Sequence, residues 1–241
     1  MWDAFGQEVL APLVNGRLVQ QEVVIVTQEG TDDDSIAGVR RALEQGGAEV
    51  RALFLVSDRM SLGTEADRTV LAEMVGADGN ADLEAIAAQA LAERLAGGPT
   101  GTGILEALVR TGFIIDEGPG LGEEGLRGVG GPDQPVVVVA GGPAASRLQP
   151  ARFLVPLVEG LVRVDASVAA AEPANGGEQE PPFVTLLRSD GEVSASIATL
   201  DNVDQIPGQI GLVLALEDLL QGTPGHYGIK EGASGGLLPD L

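Results

Sequence analysis

A chain of 241 residues with 44% hydrophobic side chains can build a substantial core, and with aromatics at only 3% that core must be Ala, Val, Leu and Ile. The 14 Lys and Arg against 36 Asp and Glu leave a net charge of −22, which argues against a nucleic-acid partner and against docking on anionic lipid, since both need clustered cations. Cysteine is absent, which removes disulfides, thiolate metal sites and cysteine nucleophiles.

The opening segment MWDAFGQEVLAPLV has neither a basic n-region nor a continuous apolar h-region, so it is not a secretory leader. It reads as the end of a helix with Phe5, Val9 and Leu10 on one face, which leads to the expectation of a longer helix preceding it. EVVIVTQEG (22–30) has the β-branched run of a buried parallel strand. In TDDDSIAGVRRALEQGG, Thr31 or Asp32 can cap a helix whose stripe is Ile36, Val39 and Leu43, stopped at Gly46 and Gly47. AEVRALFLVSD (48–58) completes a βαβ unit.

Residues 64–112 read as helical, with Leu83, Ile86, Ala87, Ala90, Leu91 and Leu95 at helical spacing, then Ile104, Leu105, Leu108 and Val109. The Gly-rich acidic stretch 116–134 has no periodicity and reads as a loop. PVVVVAGGP (135–143) predicts a central strand, 152–162 a helix bent at Pro156, and 163–173 a further strand. A loop over 174–182 and a short helix and turn in FVTLLRSDG precede VSASIATLDN (193–202), an edge strand or extended segment. PGQIGLVLALEDLLQG (207–222) has Pro207 near its start and Gly222 at its end. Its apolar residues cover most of the helix, so burial on more than one side is expected, within the domain or at a subunit interface.

This order predicts an α/β, Rossmann-like parallel sheet flanked by helices, with a C-terminal tail packed on the domain. The expected boundaries are a helical or coiled-coil lead-in over 1–20, an α/β domain over 21–222 and a docked tail over 223–241.

Three places invite a ligand. TQEGTDDDS (27–35) follows the first strand, where doubly wound folds bind ligands, but its carboxylates would repel a phosphate. No GxGxxG or GxxxxGK[ST] occurs. Asp32, Asp33 and Asp34 could hold Mg²⁺ or Ca²⁺, or they could simply favour the positive end of a helix dipole. AGGPAASR (140–147) could let an anion reach Ser146 and Arg147, or form a strand-to-helix turn. His226, the only histidine, could complete a metal site between subunits. It stands beside the only tyrosine, Tyr227, and the flanking Gly225 and Gly228 favour a tight turn with both side chains packed down. No GxSxG accompanies it, so a serine triad is not expected.

The stretch TLDNVDQIPGQIGLVLALEDLLQGTPGHYGIKEGASGGLLP (199–239) resembles the C-terminal signature of the actinobacterial MctB-like copper transporter family. There a V-D-N-V-D-x-x-x-G segment leads a helix ending in G-x-x-G-H-Y-G and a short GA…LLP tail. The matching positions are Asp201, Asn202, Val203, Asp204, Gly208, Gly222, Gly225, His226, Tyr227, Gly228, Gly232 and Ala233, with Leu200 where Val is usual. Residues 10–50 resemble the family's first βαβ unit.

The resemblance implies a non-enzymatic domain outside the cytoplasm. A transmembrane helix and coiled coil lying ahead of the matched region would anchor it to the cell membrane. It implies copper efflux or homeostasis and, through the coiled coil and the apolar last helix, a homo-oligomer. A related SteB-like branch acts instead with a membrane partner in the cell envelope, in cell division and control of a peptidoglycan hydrolase. A small-ligand sensor using the strand-end crevice is a further alternative. Copper as a bound ion follows from the resemblance alone. Cu(I) prefers thiolate and thioether, and Cu(II) imidazole, whereas the chain offers His226, no Cys, and Met1, Met60 and Met74.

Overall fold

The structure, a computed structural model, describes residues 10–98, 103–118, 121–142, 147–175, 181–234 and 236–239. Phe5, Val9, Met1 and Ser146 lie outside the described residues.

The first strand shows why the sheet sits where it does. Every residue of β1 (Glu22–Gln28) after Glu22 is buried, with Val24 and Val26 in one apolar cluster and Val23 and Ile25 in another. Side chains alternate along a strand, so a run apolar at every position fits only a strand covered on both faces. β2 (Glu49–Val56) and β4 (Val136–Val139) pair with β1 in parallel, one on each side. β5 (Val168–Glu172), β6 (Ala198–Asp201) and β7 (Gly225–Tyr227) continue the sheet in parallel beyond β4. β3 (Ile114–Asp116) runs antiparallel at the far edge beside β2. The order is β3-β2-β1-β4-β5-β6-β7, reversing direction between β1 and β4.

One face carries α2 (Glu65–Val75), α3 (Leu83–Gly97), α4 (Ile104–Thr111), α6 (Leu154–Arg163) and α7 (Phe183–Ser189), whose buried leucines, valines and Phe183 meet Val24, Phe54 and Val138. The other face carries α1 (Asp33–Gln45) and α9 (Ile206–Leu220), joined by Leu10, Val14 and Leu18 of the lead-in. Short helices α5 (Gly122–Arg127) and α8 (Gly191–Ser194) complete the chain.

The helical region 64–112 is three helices, because Gly76 in the left-handed region and Gly98 end the first two. The 116–134 stretch contains the end of β3 and all of α5, so it is not loop throughout. The helix predicted to bend at Pro156 begins at Leu154. Proline then falls in the first turn, where a missing N–H costs no intrahelical bond. Residues 198–201 form an inner strand, because the tail pairs along its outer side. The breadth of apolar surface on α9 is used within one copy, since the helix packs against α1, β5, β6 and β7 together. Gly38 makes the approach of α1 possible, because a Cβ there would lie 2.3 Å from Gln209 Nε2.

Candidate functional site

The residues that carry the family signature meet at the C-terminal ends of β5, β6 and β7. Parallel registry sets Glu172 beside Asp201, Thr199 beside His226 and Leu200 beside Tyr227. The tail therefore packs on the domain as a seventh strand, where a tight turn was expected.

Asp201 is fully buried and collects its partners from two directions. Its Oδ2 pairs with Arg188 Nη1 at 3.0 Å and accepts from the Lys230 N–H at 3.1 Å. Its Oδ1 accepts from the Ile229 N–H at 2.7 Å. Those amides reach the carboxylate because Gly228 crosses directly above it, with φ +127° and its missing Cβ only 2.2 Å from the Asp201 carboxyl carbon. Next to it Asn202 takes a positive φ of 85°, and its N–H donates to Glu172 O at 2.8 Å. Gly208 lies against that turn, where a Cβ would be 2.1 Å from Asn202 O. Asp204 Oδ1 accepts from the Ala174 N–H at 2.7 Å. Gly225 gives Tyr227 a flat bed, since a Cβ would stand 2.4 Å from the phenol oxygen. The signature is thus one stereochemical unit that docks a strand.

Arg188, from α7, is the hub. Its side chain is 1% exposed, and Nε donates to Thr199 Oγ1 at 2.7 Å, while Nη2 donates to Tyr227 O at 2.9 Å. Nη1 also reaches the carbonyls of Lys230 and Glu231. A second pair lies beside it, Lys230 Nζ to Glu172 Oε1 at 2.5 Å, with Pro173 O accepting from the same ammonium at 2.8 Å. Burial raises the Glu172 carboxyl above its ordinary range, and Asp201 adds to this while Lys230 opposes it.

His226 is fixed by the same network. Thr199 Oγ1, which accepts from Arg188 Nε, hydrogen-bonds His226 Nδ1 at 2.9 Å. Burial, followed by the positive charge of Arg188, lowers the imidazole below its ordinary value.

The remaining candidates lie elsewhere. Asp32 caps α1, accepting from Ser35 N at 2.8 Å and Ser35 Oγ at 2.6 Å, while Asp33 and Asp34 point to solvent in the first turn. The crevice between β1 and β4 is closed by backbone. Asp32 N donates to Gly141 O, and a Cβ on Gly142 would be 2.6 Å from Asp32 N. Arg147 donates its backbone N–H to Asp58 Oδ1 at 3.2 Å. Met60 is buried in the core and Met74 packs against it. Among the described residues, no group of three or more His, Asp or Glu is placed to hold a metal ion.

Arg188, Glu172, Lys230 and Thr199 were not singled out in the sequence. Two of them leave a trace there. Arg188 occupies a position one helical turn after Val184, where an apolar residue would continue the stripe, and Glu172 ends an otherwise apolar strand.

Residues 2–238 match the family described as copper transport outer membrane protein, MctB. The copper transporter MctB of Mycobacterium bovis and that of Mycobacterium tuberculosis H37Rv are each 29% identical over 257 aligned positions, covering 96% of this chain and 77% of theirs. The copper transporter MctB of Mycobacterium leprae is 44% identical over 57 residues, 23% of this chain and 18% of the relative.

Proposed function

The chain belongs to the MctB copper transport family, and on that premise we propose that it is a non-enzymatic, extracytoplasmic domain of a membrane-anchored protein. In this reading it serves copper homeostasis by associating with other proteins, itself included, and the copper ligands belong to those partners. The observation that carries the reading is the setting of the only histidine, His226, hydrogen-bonded at Nδ1 to Thr199 and beside the Arg188 guanidinium, in a chain without cysteine. A cation at that ring would meet the positive charge of Arg188, and using Nδ1 would require it to displace the Thr199 contact. No helix among the described residues is long and apolar enough to cross a membrane. The anchor in this reading comes from sequence preceding the matched region, and that region is 77% of the relatives' length.

Calorimetric titration of the domain with Cu(I) and with Cu(II) tests the absence of its own site. The expected result is no saturable heat at micromolar copper. Saturable binding that disappears in His226→Ala would sink the reading. Affinity capture with the anchored full-length protein then separates the two family branches. Copper-handling partners support copper homeostasis, whereas division proteins or a peptidoglycan hydrolase alone would move the chain to the cell-envelope branch.

A further inference from the structure

We propose that the segment from Gly225 to Ser234 is a strap over the outer edge of β6, able to open as one unit while the rest of the sheet stays folded. The argument rests on what holds each part. β1 has a strand on both sides, and every residue from Val23 to Gln28 is buried, with an unbroken apolar run over Val23–Val26. β7 has one strand neighbour, pairs through three registers and buries none of its three residues completely. Ile229, two residues beyond the strand, is 70% exposed.

Most of what holds the strap is polar and converges on four side chains of the body. Arg188 binds the carbonyls of Tyr227, Lys230 and Glu231, and Asp201 accepts the amides of Ile229 and Lys230. Glu172 holds the Lys230 ammonium, and Thr199 holds His226. Buried ion pairs gain little over the hydration they replace, yet removing one partner strands the other. A segment secured this way closes tightly when complete and has little apolar burial to keep it closed once a member is lost. Local opening in folded proteins is drawn from such regions. Opening returns Arg188, Glu172 and Asp201 to water and uncovers the free backbone groups of Ala198–Asp201, a sheet edge able to accept another strand.

Amide hydrogen exchange on the intact chain, in urea concentrations below the unfolding transition, tests this. The Ile229 and Lys230 amides should exchange at least about tenfold faster than those of Val24–Thr27, with little dependence on urea. Arg188→Met should speed the strap amides by about a further tenfold, with the strap still exchanging faster than β1. Exchange of both sets at one rate, through global unfolding only, overturns the proposal, as does an unaltered strap in Arg188→Met. If that variant does not fold, Gly228→Val is the second probe, because its side chain would displace the Asp201 carboxylate without removing a charge. The comparison within the unmodified protein decides the point even without either variant.

Discussion

His226 is partly buried and lies beside the Arg188 guanidinium, so the neutral ring is the form the fold selects. Its folded value lies below the ordinary 6.5, and stability from the neutral ring is therefore fully present above 6.5 and lost as pH falls through the lower folded value. Glu172 works in the other direction. Its raised carboxyl favours the fold below its ordinary 4.5, and that contribution is lost as pH rises through the raised value. Comparing the protein with His226→Asn isolates the imidazole, since the chain has 1 histidine. Urea midpoints measured from about pH 7.5 down to about pH 5.5 should show the advantage over the variant shrinking with acid. A constant difference would mean that the ring does not titrate differently in the folded state. At this scale the sequence showed what local spacing encodes. The Asp32 cap lies three positions from Ser35, within one helical turn. The Lys230–Glu172 pair spans 58 positions, and no periodicity connects residues that only a crossover brings together.

Elements were legible where the apolar pattern was long. β1, α1, β2 and α9 follow from runs and stripes that agree with their caps. β3 and β7 have three residues each, too few to display alternation, and their pairing is decided by neighbours distant in the chain. In 193–202 the first residues belong to α8 and only the last four positions before Asn202 pair as strand. The position of α6 changes the meaning of Pro156. An interior proline costs about 3 kcal/mol, whereas one in the first turn is tolerated and restricts the unfolded chain. Pro156→Ala should therefore lower stability by at most about 1 kcal/mol, measured by chemical denaturation. A gain of about 3 kcal/mol would indicate a strained interior proline instead.

For the whole molecule, the two-faced sheet was readable because β1 and β4 carry unbroken apolar runs, Val23–Val26 and Val136–Val139. The strand order was not, since a crossover leaves no record of which side it lands on. Each end of the sheet is finished by a three-residue strand, antiparallel β3 at one end and parallel β7 at the other. Ending the chain after Gly222 would bare the β6 edge and remove the Lys230 partner of Glu172. Light scattering should show this shortened chain self-associating, and a monodisperse, equally stable product would show that the last strand contributes little. The tail also concentrates the chain's rarest side chains, for His226, Tyr227 and Lys230 are each the only residue of their kind. One imidazole resonance, one phenol chromophore and one side-chain amine thus all report from the same few residues. The segment whose attachment is most conditional can be watched, or labelled at a single site, with no reporter group introduced.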